Sequence, residues 1–361
     1  MERASVVTDP AAEGATDRLG APQPAAGPVS RLFAWAEGSP WRSIAVPILP
    51  AVALAIWAHA VLWWSGRAAA GAVDRNEIIL VAYVLLLLAA GILGRRIARS
   101  AIRTFWSATG WPELDQASWI GRFMVIPLRH ELVAIAIGLA IAVASTLAAP
   151  PAIVGDAAGR EFAYLAFFPT FAAGYALNAV GVLLGARWLT HVAEIHRDAR
   201  AIDPFDREPI YAFSKLTVYV GLVILGATYY TLTLNTAFIT GNLPALVMLP
   251  VTSTLGILAF VAPLWGIHGR LVREKAALLR DVDRRIRTVG ADLFENIDAG
   301  RLDASKVLNE TIGALRALRD QIRELPTWPW SPQLLRGFVS ALLLPVIVYL
   351  LSRFAAGIVS L

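Results

Sequence analysis

The chain has 361 residues, of which 57% are hydrophobic and only 16% charged, with a formal net charge of +5; soluble domains carry about a quarter charged residues. Such a balance, with charge missing from long stretches, belongs to a chain whose solvent is partly lipid. There is no cysteine, which excludes disulfides, thiolate nucleophiles and cysteine-ligated metal clusters, and the positive charge gathers beside apolar runs, where it signals topology and headgroup attraction, not nucleic-acid binding.

Residues 1–30 are rich in Ala, Pro and Gly without periodicity, which predicts a disordered tail. Acids are mixed in and no apolar run follows the start, so the pattern is not that of a signal peptide. The segment Arg31–Trp41 is short and mixed enough to lie flat on a membrane surface, closing a tail region of residues 1–40.

Seven apolar runs follow, at about 43–64, 77–94, 131–149, 162–186, 213–236, 244–265 and 335–357. Each is long enough to cross roughly 30 Å of hydrocarbon at 1.5 Å per helical residue. None alternates as a barrel strand would. The expected fold class is therefore all-α, a polytopic membrane protein of seven transmembrane helices. Six form a region over 41–265, and the last occupies 334–361.

Arginine sets the expected orientation, since only Lys215, Lys275 and Lys306 are lysine. Arg95, Arg96, Arg99, Arg103, Arg122 and Arg129 follow span two, and Arg187, Arg197, Arg200 and Arg207 follow span four. The opposite loops hold only Arg67, Arg75 and Arg160. The positive-inside rule then puts the amino terminus in the cytoplasm and the carboxyl terminus outside. The arginine-rich, alanine-rich composition points to the inner membrane of a bacterium.

Residues 266–333 form the one sizeable soluble segment. Leu271, Leu278, Val282 and Val289 recur at helical spacing, as do Leu308, Leu315, Leu318, Ile322 and Leu325. Gly290 and Gly300 bracket an expected break, so two amphipathic helices should fold back as a cytoplasmic hairpin. Pro263 and Gly266 predict a kink where span six leaves the membrane. Pro326, Pro329 and Pro332 end the second helix.

No nucleophile elbow, P-loop or dinucleotide fingerprint is present, so the chain reads as a non-enzyme without cofactor. His191, Glu194 and His196 make HxxExH, which is not the spacing that sets two imidazoles on one helix face. Glu77 and Glu131 fall at span ends, within expected reach of water, and no carboxylate lies in mid-span. The clearest polar feature is span five, where Thr228, Thr231 and Asn235 share a face flanked by Tyr229. That stripe, with Asn178 in span four and Arg353 in span seven, supplies pore-lining candidates, although such groups equally join packed helices. Gly181 and Gly185 form a GxxxG packing motif. Arg95, Arg99 and Arg103 repeat every four residues as candidates for anionic headgroups.

Two stretches, PLWGIHGRLVREKAALL at Pro263–Leu279 and ELPTWPWSPQLLRGFVSALLLP at Glu324–Pro345, resemble recurrent patterns in uncharacterised bacterial multi-span proteins. The layout also resembles that of the insect odorant and gustatory receptor channels. They share seven spans, an inside amino terminus and cytoplasmic helices before the last span. Their terminal Thr-Tyr and Gln-Phe pairs are replaced here by Pro345-Val346 and Arg353-Phe354. The polar stripe of span five, the lack of mid-span carboxylates and a hairpin with an unmet apolar seam point to a homo-oligomeric channel or pore, and the layout is an analogy to it. The competing expectation is a non-conducting scaffold or sensor whose hairpin docks a cytoplasmic protein. Membrane lipids are partners in both, and nucleic acid in neither.

Overall fold

The computed structural model describes residues 25–109, 113–148, 160–198, 205–234 and 243–359. Among these residues every regular element is a helix, apart from one antiparallel bridge between Ala26 and Pro127. The order is α1 (Pro28–Glu37), α2 (Pro40–Trp64), α3 (Arg75–Thr109), α4 (Glu113–Met124), α5 (Leu128–Ala148), α6 (Arg160–Asp198), α7 (Arg207–Ala212), α8 (Ser214–Leu234) and α9 (Leu243–Val261). A 3-10 turn at Ala262–Leu264 leads into α10 (Trp265–Asp298), α11 (Leu302–Glu324) and α12 (Pro332–Val359).

Six helices are long and apolar enough to cross a membrane. The seventh expected span falls on the 28-residue α12, whose described apolar part is Pro332–Leu344. Two helices outrun the apolar stretches that predicted them. α3 has 35 residues and α6 has 39, because no residue after Gly94 or Gly185 breaks a helix where the lipid-facing sequence stops. Their polar ends extend past the apolar stretches and carry the arginines with them.

α3 is the hub, packed against α1, α2, α4, α6, α7 and α8. Val84, Leu88, Ile92, Ala98, Ile102 and Phe105 give it a buried stripe through the main core. Lipid-facing surface shows as exposed apolar side chains, among them Ile44, Leu49, Val52 and Ile56 on α2 and Leu132, Val133 and Ile137 on α5. Outside lipid such a surface would be an interaction patch.

Close crossings are made by glycines other than the GxxxG pair. A methyl group on Gly138 would stand 2.5 Å from the Tyr175 carbonyl oxygen, and one on Gly221 would stand 2.8 Å from that of Gly256. These sites let α5 touch α6, and α8 touch α9, backbone to backbone. At Gly181 nothing lies within 4 Å, and Gly185 meets only the Val220 side chain at 3.3 Å.

The hairpin forms, with its break confined to the Gly300 end of the expected interval. α10 runs through Gly290 to Asp298, since a single helical glycine costs only about 1 kcal/mol. Gly300 makes the turn with φ +70, a conformation open to glycine. Leu278, Val282 and Ile286 of α10 pack on Leu315, Ile322 and Leu325 at the α11 side. Lys275 holds the α11 terminus, its ammonium donating to the carbonyls of Arg323 (2.6 Å) and Leu325 (2.8 Å). His268 stacks on Trp328 with centroids 3.7 Å apart.

Gly138→Ala should destabilise the bundle by about 1–3 kcal/mol, the usual cost of overpacking, while Gly181→Ala should cause no loss and add up to about 1 kcal/mol of stability. Thermal melting of the two variants in one detergent checks the contrast.

Candidate functional site

Polar side chains concentrate in two places: the arginine-rich end of the bundle and a seam between α3, α6 and α8. At the arginine-rich end, α1 lies across the bundle with Ser30, Phe33 and Ala36 buried. Its Phe33 ring rests on Gly91 of α3, where any side chain would collide with it. The expected surface segment is thus a strap packed on protein, with the other face outward.

Both ends of the strap are held by charge. Its first turn has no capping side chain of its own. Glu131 of α5 supplies the cap, accepting from the Val29 and Ser30 amides and, at 2.7 Å, from the Ser30 hydroxyl. A carboxylate there meets the positive end of the helix dipole. At the other end Glu37 takes Arg95 at 2.7 Å and Arg99 at 2.6 Å. Arg95 also donates to the Met124 carbonyl at the end of α4. The neighbouring carbonyls are covered too: Trp188 donates to Phe123 at 2.9 Å, and Arg187 to Val125 at 3.2 Å.

These contacts revise two expectations. Glu131 does not reach water; it is fully enclosed, as is Glu77. Arg95 does not face headgroups, because its side chain is 3% exposed against a 7% exposed partner. Arg99 is partly open and shares the same carboxylate. Arg103 is exposed and makes no ion pair or hydrogen bond among the described residues. Arg96, absent from the expected set, is exposed as well and donates to the Ser43 hydroxyl at 2.6 Å.

In the seam, the Asn178 amide donates to the Tyr83 hydroxyl at 2.6 Å, and Tyr83 stacks on Tyr230 at 5.3 Å. Tyr230 donates to the Ile79 carbonyl, and Thr170 to Glu77 Oε1, both at 2.6 Å. Asp74 and Glu77 have capping-box spacing, and the Glu77 amide donates to Asp74 Oδ1 at 2.9 Å. The reciprocal bond is missing, since the Asp74 amide donates to His59 Nε2 at 3.0 Å. Glu77 is thereby released to turn inward onto Thr170.

Of the pore candidates, Thr228 is half-buried and donates to its own helix at the Ile224 carbonyl, 2.9 Å away. Tyr229 is half-buried. Asn235 lies outside the described residues, and so do the side chains of Thr231 and Arg353. His191 turns to Glu194 at 2.9 Å, while His196 sits between the rings of Phe105 and Phe213. Among the described residues no three His, Asp or Glu side chains assemble as a metal site.

No protein family matches the chain, and neither a curated protein nor a solved structure is similar to it.

Glu37→Gln should destabilise the protein by about 3–5 kcal/mol, because it strands Arg95 in a buried position. The reading is a lower melting temperature together with protease access to the α1–α2 junction. Arg103→Gln should change neither.

Proposed function

We propose that the chain is a membrane-embedded scaffold or sensor that holds a helical arm in the cytoplasm for a protein partner. The carrying observation is the tip of the arm. Its base is filled: Val282, Ile322 and Leu325 are buried in the hairpin seam. Beyond that seam Phe294 is 69% exposed, Leu302 73% and Val307 63%, on a soluble element with no lipid to cover them. Apolar groups presented this way mark an interaction surface.

Charge around the tip narrows the partner. Asp292, Glu295, Asp298 and Asp303 surround these side chains, against Arg301 and Lys306. An acidic rim is repelled by the anionic inner leaflet and attracted to a basic amphipathic helix. The arginine distribution supports placing the arm on the inner face of a bacterial membrane. With 34 residues at 1.5 Å each, α10 carries the tip about 50 Å along its axis.

The competing proposal is a channel assembled from several copies around span five. It has less support, since Asn178 bonds across to Tyr83 on α3 and so joins packed helices. Leu315 and Ile322 are poor probes of docking, because they belong to the seam that closes the hairpin.

A photo-crosslinking residue at Phe294 or Leu302 in living cells should yield an adduct whose added mass is not a multiple of the chain's own. The same residue at Ile322 should yield none. Self-adducts alone would favour the oligomer, and discrete currents from the purified protein in a planar bilayer would establish the channel. Phe294→Lys with Leu302→Lys should abolish the foreign adduct and leave the stability within about 1 kcal/mol of wild type, as exposed substitutions do.

A further inference from the structure

The arginine-rich end carries an opening beside the strap's last residue, Glu37, that the packing of the strap leaves unfilled. A cavity of about 270 Å³ is lined by Glu37, Arg96, Arg99, Ser100 and Arg103. A second, of about 300 Å³, lies between α2 and α3 and is lined by Ser43, Ile44, Ala89, Ile92 and Leu93, with Arg96 again in its wall. Arg96 is common to both. Along α3 the lining passes from Ala89 to Arg103, about 21 Å at 1.5 Å per residue, and changes from apolar to basic after Gly94.

The charge balance is uneven. Arg95, Arg96, Arg99 and Arg103 face one carboxylate, Glu37, which Arg95 and Arg99 already share. Arg96 and Arg103 are left without an acidic partner among the described residues, their heads bordering the polar cavity. The apolar cavity opens where Ile44 is 61% and Leu93 51% exposed, on the lipid-facing side of the bundle. A hydrated anion would suit the first cavity but not the second. An acyl chain would suit the second but not the first.

We infer that the α2–α3 groove binds one anionic phospholipid, its phosphate held by Arg96 and Arg103 and an acyl chain laid along Ile44, Ala89 and Leu93. Guanidinium is the side chain best matched to phosphate oxygens. The Ser43 hydroxyl at 2.6 Å pre-orients Arg96 at the point where the two cavities meet. The site goes beyond the docking function and does not depend on it.

Native mass spectrometry of the full chain in detergent, titrated with phosphatidylglycerol or phosphatidylcholine, tests this. Wild type should retain one phosphatidylglycerol per chain in preference to phosphatidylcholine. Arg96→Gln with Arg103→Gln should weaken that retention by roughly a hundredfold, about tenfold for each charge-assisted contact. Arg273→Gln with Arg287→Gln removes the same charge from the arm and should have no effect. Leu93→Trp fills the apolar cavity from its exposed side and should weaken retention with the charge unchanged. Equal retention by the Arg96/Arg103 and Arg273/Arg287 pairs would mean diffuse attraction and overturn the site. Displacement of the lipid by inorganic phosphate, with Leu93→Trp inert, would make it a soluble-phosphate site and overturn the lipid. If the double variant melts early, Arg103→Gln alone decides, because that guanidinium holds nothing else in the described fold.

Discussion

Arg95 is a charge that the bundle encloses, and two other segments end on it: α1 through Glu37 and α4 through the Met124 carbonyl. Removing a guanidinium and a carboxylate from water is expensive, and their attraction repays it only when the remaining donors are used. Here they are used. The position of α1 therefore follows from α3, and the exit from α4 follows from both. Glu131 completes the arrangement from α5 by covering amide groups that the first turn of α1 would otherwise leave unpaired in a buried place. Neither acid is spare, and the strap has no freedom to lift at one end without stranding a charge.

The same economy of partners explains the glycines of α3. Gly91 and Gly94 present bare backbone, so the Phe33, Trp188 and Tyr219 rings lie flush against the helix. Trp188 then reaches Phe123 with its indole N–H, and Tyr219 reaches the Ala90 carbonyl at 2.6 Å. The Trp188 and Tyr219 rings each contribute apolar area and also satisfy a backbone carbonyl, while Phe33 contributes area alone. α3 is thereby apolar and crowded along one length, basic and partly open along the next.

Much of this fold was legible in the sequence because lipid imposes length and composition directly. The apolar runs located the helices, and the leucine spacing located the hairpin. The partners were not legible, because they are remote: Glu37 is 58 residues from Arg95, and Glu131 is 102 from Val29. Periodicity reports which residues share a face, not what that face meets. The arginine stripe shows how a small angular error matters. At about 100° per residue, Arg95 and Arg103 differ by roughly 80°, whereas Arg96 and Arg103, seven apart, differ by only about 20°. Counting in fours put Arg95 at the headgroups; counting in sevens puts Arg96 there and turns Arg95 inward. Glu77 was misread for a different reason: its place at a span end suggested water, but His59 takes the Asp74 amide and the Glu77 carboxylate turns inward onto Thr170.

The arm is joined to the membrane part by more than its linker. Trp330 lies 4.9 Å from Phe260, and Phe260 lies 4.6 Å from Phe338, so α9 and α12 meet beneath the place where α10 leaves and α11 returns. Trp328 bridges that cluster to His268, whose Nδ1 is 2.8 Å from the Thr327 carbonyl. α10 departs through a 3-10 turn containing Pro263, whose nitrogen has no hydrogen to donate and whose ring fixes φ, which limits how the turn can straighten. A partner that shifts the tip works against these stacked rings rather than against a loose hinge. α9 and α12 in turn meet α8 through the close approach of Gly221 and Gly256. A docking surface alone has no need of a rigid root and a sensor does, so within the proposed function the stacked rings favour the sensor.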